Sequence, residues 1–310
     1  MSSSLYSHRP YNGPADLQTM IALVSMRPPE RITAYPFIVD LEEVSGTPQG
    51  QATIRMWEDS ERVPVGFSLL DGSFIAFEIS PQVAFDDLAR QMIAWSMERL
   101  ASGDGSPAPP VELVTACREE DTRRIAFLER QGFVAQPVRT LRFIRSLEES
   151  PPAPRLPEGF LIRPIAGEDE VVAWVALHRA AHGTENMTIE FRLSMMRTPE
   201  YDRELDLVAV APQGQLAAYV MCHFSPEENL LRKQKVGFTD PVATHPDFQR
   251  RGLARALLLT GFSRLKERGM DFAEVATWGE NIEMIRAAES VGYRIYSTSI
   301  FFNRALLQLR

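Results

Sequence analysis

The sequence predicts an α/β protein of two tandem domains with a similar plan, each a central sheet flanked by helices. Three observations carry that expectation. A proline-rich break lies near the middle of the chain, similar segments recur in order on its two sides, and strand-like and helix-like patterning alternate within each half. A mixed order of this kind packs helices onto a sheet around a shared core. At 310 residues the chain has room for two such cores.

The break is "LEESPPAPRLPEG", residues 147–159. Proline removes a backbone donor and interrupts helix and sheet ladder alike. The expected division is a first domain over 1–148, a linker over 149–158 and a second domain over 159–310. Across it, "HRPYNGPADLQTMIALV" (8–24) resembles "IRPIAGEDEVVAWVALH" (162–178). Residues 80–100 align without a gap on 245–265, sharing Leu-Ala-Arg at 88–90 and 253–255. "DTRRIAFLERQGF" (121–133) matches "NIEMIRAAESVGY" (281–293). Three matches in one order predict a tandem duplication.

In the second half, "LIRPI" reads as a strand and "EDEVVAWVALHRAA" as a helix, with more helix from about Thr188 to Met196. "LDLVAVAPQGQLAAYVMCHFS" alternates around Gln213-Gly214 and predicts a hairpin. "KQKVGFTDPVATH" is the next strand. A helix from about Gly252 ends in a basic turn at Arg268-Gly269. "FAEVATW" is a strand, 281–291 a helix with Met284, Ile285, Ala288 and Val291 at helical spacing, and "YRIYSTSIFFNR" a terminal strand.

Composition bounds the function. Hydrophobic residues make up 45% and charged residues 24%, ordinary for a soluble globular protein. No apolar run reaches the roughly 18 residues that span a bilayer, and the N-terminus lacks a signal-peptide core. Cys117 and Cys222 have no metal spacing and predict free thiols in a reducing cytoplasm. A net charge of −8 weighs against nucleic acid and anionic membrane as partners.

The residues that carry chemistry are in "VATHPDFQRRGLARALL". A helix start exposes unpartnered N–H groups and a partial positive charge. Glycine there lets a ligand approach the backbone, and two arginines favour a polyanion such as a pyrophosphate. This stretch resembles the acetyl-CoA-binding motif of the GNAT N-acetyltransferases, here Gln249, Arg250, Arg251, Gly252, Leu253 and Ala254. "NIEMIRAAESVGY" is similar to that family's second motif, with Asn281 at its head. The duplicated order resembles the tandem-GNAT layout of the mycothiol synthase type. The resemblance implies a splayed, mixed, mostly antiparallel sheet in each domain. It implies acetyl-CoA as cosubstrate, its pantetheine on the backbone of Val242, Ala243 and Thr244 and its pyrophosphate on the amides from Gln249 to Arg255. It also implies a family member that transfers an acetyl group to a primary amine, with a small molecule or peptide as acceptor.

The first half departs from the motif. Asp86 and Asp87 stand at the places of Arg251 and Gly252, and Ala84, Phe85 and Ala89 at those of Gln249, Arg250 and Ala254. Like charges about 4–5 Å apart repel by several kcal/mol at an effective dielectric near 20, more than the roughly 0.3–2 kcal/mol of a helix terminus. The expectation is a degenerate first domain without cofactor and a catalytic second domain.

An acceptor amine must lose a proton, and Asp240, ahead of the cofactor strand, is the expected base, directly or through a water. Its structural alternative is a cap on the bend before Pro241. The family pattern places a tyrosine acid seven residues after the motif asparagine, where this chain has Ala288. Tyr293 and Tyr296 are near in sequence, with Tyr293 expected in the core. The departure leaves a second reading, a non-catalytic acyl-CoA-binding or scaffold protein. His178 and His182 are one turn apart but lack a third ligand, so no metal is expected. Cys222 and His223 point to opposite faces and form no nucleophile–base pair. Trp57 and Trp174 are expected in the core. Glu185, Glu190 and Asp206 could border an acceptor. A homodimer is compatible with the sequence.

Overall fold

A computed structural model of the chain describes residues 6–27, 31, 35–102 and 112–306. Its compact units are Met1–Arg139 with Thr298–Arg310, and Thr140–Ser297. In the first unit the chain runs β1 (Ser7–Pro10), α1 (Pro14–Ser25), α2 (Ile38–Ser45), α3 (Pro48–Thr53), β2 (Ile54–Glu58), β3 (Pro64–Asp71), β4 (Phe74–Ile79), α4 (Phe85–Ser102), β5 (Glu112–Arg118) and α5 (Thr122–Arg130), then enters β6 (Val134–Ser146). The second unit continues β7 (Leu161–Pro164), α6 (Val171–His182), α7 (Ile189–Met195), β8 (Asp206–Val210), β9 (Leu216–His223), α8 (Pro226–Arg232), β10 (Val236–Thr244), α9 (Leu253–Glu267), β11 (Phe272–Trp278) and α10 (Ile282–Ser290), and the chain closes with β12 (Arg294–Ala305).

Each unit orders its strands alike. In the first, β1, β2, β3 and β4 are antiparallel neighbours, β4 and β5 are parallel, and β12 from Ser299 to Ala305 runs antiparallel along β5. In the second, β7 to β10 are antiparallel neighbours, β10 and β11 are parallel, and β6 from Thr140 to Ser146 runs antiparallel along β11. The expected boundaries at 148 and 159 therefore differ from the compact units at two strands. Residues 140–146 complete the second sheet and 298–305 the first. Strand patterning tells which residues form a strand but not which partner it takes, so this exchange is invisible in sequence order. The proline-rich stretch 147–160 carries no helix or strand.

The repeated segments have repeated physical jobs. Arg9 binds Asp16 at 2.6 Å, and Asp16 also accepts from the Asn12 amide at 2.7 Å. Arg163 binds Glu170 at 2.8 Å, and Glu170 accepts from the Ala166 amide at 2.7 Å. The Arg-Pro, glycine and acid of both copies thus form one device that closes the turn from strand into helix. Likewise Asp121 caps α5 at the Arg124 amide (3.0 Å) and Asn281 caps α10 at the Met284 amide (3.1 Å).

The second sheet is buried on both faces. Leu207, Ala209, Val220 and Cys222 pack under α9 with Leu257 and Phe262. Val208, Val210, Tyr219 and Met221 pack on the other face against Trp174 and Val175 of α6. Alternation along β8 and β9 produces this division. The first unit has its own core, in which Phe77, Leu88, Met92 and Phe127 meet. Trp57 and Trp174 are both buried.

Candidate active site

The site begins where two parallel strands part. β10 and β11 pair only from Val236 to Phe238 against Phe272 to Glu274. Beyond Phe238 the edge of β10 turns away, with a register irregularity between Thr239 and Val242. Val242, Ala243 and Thr244 keep β9 as partner through Val220, Tyr219 and Ala218. Among the described residues no ladder pairs these three with β11, so their β11-facing backbone edge is available to an extended ligand.

The loop that follows runs directly into α9. Arg250 and Gly252 are both left-handed, at φ 61° and 79°. Two such residues within three turn the chain sharply, and glycine meets that requirement without a Cβ penalty. No side-chain cap covers the helix at Gly252. The first-turn amides at Leu253, Ala254 and Arg255 therefore remain donors for an anion. Gln249 folds back toward the Thr244 carbonyl at 3.4 Å. Arg251 donates to the Asp247 carbonyl at 3.2 Å and lies 5.4 Å from the Phe248 ring centre. Asn281 spends its side-chain oxygen on the α10 cap.

Asp240 bridges the parting strands. One carboxylate oxygen accepts from the Ala276 amide of β11 at 3.3 Å, and the other lies 3.4 Å from His223 Nε2 at the end of β9. The two side chains are 30% and 27% exposed, so solvent or a substrate reaches both. His223 stacks on Phe238 with ring centres 5.0 Å apart. Behind them, Glu274 is fully buried between Arg142, at 3.2 Å, and Arg232. Burial opposes charge on Arg142, but Tyr296, Glu274 and Asp240 outweigh it and raise its pKa.

Sequence reasoning treated His223 only beside Cys222 on its own strand, where the two do point apart. Its partner instead comes from the neighbouring strand, across the irregularity after Thr239. The proline after Asp240 was the available signal that this strand departs from a regular ladder.

Other singled-out groups fall as follows. Ala288 is fully buried. Tyr293 is in the core, its hydroxyl 2.7 Å from Thr239 Oγ1 and its ring against Phe262. Burial raises the pKa of Tyr296, as does neighbouring Glu274. His178 and His182 share the Tyr219 hydroxyl at 2.7 and 3.2 Å. Burial, then His182 and Arg192, push the His178 pKa down to about 4. Asp206 is buried with Arg192 and Tyr201 rather than placed at a surface. Glu185 pairs with Arg179 at 2.7 Å, and Glu190 lies in the first turn of α7. Among the described residues no cluster of three or more His, Cys, Asp or Glu could hold a metal ion, and no helix is long and apolar enough to cross a membrane.

The splayed parallel pair, the glycine loop and the helix behind it define a GNAT-type α/β fold. Solved structures agree: a tandem GNAT protein from the clavulanic acid biosynthesis pathway superposes with TM-score 0.70 at 17% identity, covering 97% of this chain and 98% of that one. A GCN5-related N-acetyltransferase from Sphaerobacter thermophilus gives 0.68 at 18%, covering 97% and 96%. Residues 173–293 match the acetyltransferase (GNAT) family. Through these residues the chain is similar to that family. Curated relatives include mycothiol acetyltransferases of Nocardiopsis dassonvillei, 27% identical over 48% of this chain and 47% of the relative, and of Kineococcus radiotolerans, 30% identical over 47% and 46%. The chain spans about half the length of the curated relatives it matches.

Proposed function

We infer that the protein transfers an acetyl group from acetyl-CoA to a primary amine, of a small molecule or a peptide, and that Thr140–Ser297 performs the reaction. The observation that carries this reading is the uncapped start of α9 behind left-handed Gly252, next to the open edge of Val242–Thr244. The pyrophosphate fits the amides from Gln249 to Arg255, with Arg250, Arg251 and Arg255 supplying positive charge. Pantetheine fits the β10 edge as an added strand. Leu253 and Ala254 are small enough or inward enough to leave the amides accessible, Leu253 being buried. Asn281 contributes by fixing the start of α10 rather than through its capped side chain.

A lysine-like amine has a pKa near 10.4, so exposing its lone pair at pH 7 costs about 4.6 kcal/mol. Asp240 at the splay draws that proton, directly or through a water. The lone pair then attacks the thioester carbonyl and the thiolate leaves. With Ala288 at the usual tyrosine place, strand amides and water assist that departure.

Calorimetry with acetyl-CoA is expected to find one site per chain, and thiol release is expected with at least one member of a panel of amines, peptides and aminoglycosides. Two equal sites, or none, overturn the assignment. Ala288 favours the second reading, an acyl-CoA-binding or scaffold protein. Binding without turnover across the panel would select it, whereas turnover on the order of 1 per second removes it.

A further inference from the structure

We propose that His223 is the resting place of the proton removed from the acceptor amine, with Asp240 holding the imidazole and balancing its charge. This rests on the acetyl-transfer reading and changes one part of it: Asp240 draws the proton through the imidazole it holds rather than directly or through a water.

The geometry begins with the faces of β9. Val220 and Cys222 belong to the core under α9, whereas Tyr219 and Met221 belong to the core under α6. His223 follows on the α6 side by alternation. Phe238 is its direct partner on β10 and carries its ring in a stack at 20°. Two residues on, Asp240 returns to the same side, with one carboxylate oxygen 3.4 Å from Nε2. The other oxygen accepts the Ala276 amide across the split. The carboxylate is therefore held by two strands at once, and the imidazole is fixed by a ring and a charge. That is the arrangement of an orienting acid and a proton-accepting base.

The energetics favour the imidazole over the carboxylate as the proton's stopping point. An ordinary aspartate has a pKa near 3.9 and an ordinary histidine near 6.5. A general base works best with a pKa near the operating pH. A carboxylate beside the ring favours the charged imidazolium. Other charged and titratable groups described on this side of the strands include Glu274 of β11, Arg142 of β6, Glu228 and Arg232 of α8 and Tyr296 of β12, and, further along β8 and β9 under α6, Asp206 paired with Arg192, and His178 and His182 on the Tyr219 hydroxyl. Arg142 and Arg232 both pair with Glu274, so these charges largely offset one another. Asp240 places a carboxylate oxygen 3.4 Å from the ring nitrogen.

The step balances as follows. The nitrogen lone pair forms the N–C bond, the carbonyl electron pair moves to oxygen and returns, and the C–S bond breaks with its pair on sulfur. The ammonium gives one proton to His223 before attack, which His223 later releases to water, and the second proton, lost by nitrogen after the N–C bond forms, passes through solvent to the thiolate.

The test combines imidazole NMR titration with acetyl-CoA turnover, using the acceptor that gives most thiol release in the amine panel. The His223 resonance is expected to titrate at a higher pH in wild type than in Asp240→Asn. The acidic limb of kcat/KM is expected to shift with it. His223→Gln is expected to lower kcat by about 100-fold or more, with acetyl-CoA affinity and Tm unchanged. A wild-type His223 that titrates at or below its value in Asp240→Asn overturns the proposal. So does His223→Gln with wild-type rate and acidic limb. Wild type without turnover on any acceptor overturns acetyl transfer itself, and the dyad's role with it. Should His223→Gln fail to fold, the wild-type and Asp240→Asn titrations decide.

Discussion

The two units place the same strand–loop–helix at the same point and fill it with opposite chemistry. In the second, the alignment reads Asp240, Val242, Gln249 to Gly252 and Ala288. In the first, the matching places hold Ile75, Phe77, Ala84 to Asp87 and Leu128. The parting strands of the first unit are closed by side chains. Thr115 donates to the Ile75 carbonyl at 2.8 Å, and Arg124 donates to the Phe77 carbonyl at 3.3 Å. The Arg124 guanidinium lies 4.1 Å from the Phe77 ring centre. Phe85, standing where Arg250 stands in the other copy, packs edge-on against Phe127. Asp86 pairs with Arg130 and Asp87 with Arg90. The same fold thus stands with this region filled from within, its backbone acceptors and apolar volume taken up by side chains.

Asp240→Asn gives the largest expected effect on the open side of this comparison. Asn keeps the size, and its oxygen can still accept the Ala276 amide. We expect kcat/KM to fall about 100- to 10,000-fold with acetyl-CoA affinity nearly unchanged. A variant with wild-type rate and pH profile would make Asp240 a strand tie only, as Thr115 is in the first unit.

Most of this contrast was legible in the residues themselves. The aspartates at 86 and 87 oppose a pyrophosphate wherever the chain places them, and the strand and helix spans follow from periodicity. The plug was not legible, because Arg124 reads as one more polar residue on an amphipathic helix. Only packing shows it buried at 6% exposure. His223 escaped for a related reason: its partner lies on another strand, and pairing register is not written in either strand alone. The exchange of residues 140–146 and 298–305 is hidden in the same way.

Glu78→Gln probes the filled side. Glu78 is buried, with Arg27 at 2.6 Å and Arg31 at 3.0 Å. Burial alone would raise its pKa, but Arg27, Arg31 and Arg124 outweigh burial and hold it low. Its contribution to stability is therefore present above the ordinary carboxyl range and lost as pH falls through the lowered folded value. Removing one member of such a buried cluster typically costs about 3–5 kcal/mol. Chemical denaturation is expected to show that loss at pH 7 and a smaller difference from wild type in acid. If the units are independent at the site, acetyl-CoA affinity stays within about twofold.

Gly252→Asp transplants Asp87 of the first unit into the second. Two effects act together: a carboxylate near the pyrophosphate and a side chain at φ 79°. Gly252→Asn separates them, since Asn tolerates the left-handed region and carries no charge. At about 5 Å and an effective dielectric near 20 the repulsion is roughly 3 kcal/mol, lowered by solvent at this exposed loop. Calorimetry is expected to show acetyl-CoA binding weakened about 10- to 100-fold by Asp and less by Asn. Equal affinity in both variants and wild type would remove the loop from the cofactor site.

Arg251→Ala carries the smallest expected effect. Arg251 stands where the first unit has Asp86, which makes it look decisive in an alignment. In the fold its guanidinium is tied to the Asp247 carbonyl and to the face of Phe248, on the loop's own surface. Binding through it requires either a long-range attraction, screened over about 8–10 Å at ordinary salt, or loss of both contacts. The first is small and the second offsets what a new phosphate contact gains. We expect acetyl-CoA affinity to fall no more than about fivefold at 0.15 M salt, with a larger loss at low salt. A drop of 50-fold or more would mean that Arg251 leaves Phe248 on binding and grips the pyrophosphate directly. The sign change at this position would then distinguish the two loops toward a pyrophosphate more than the glycine does.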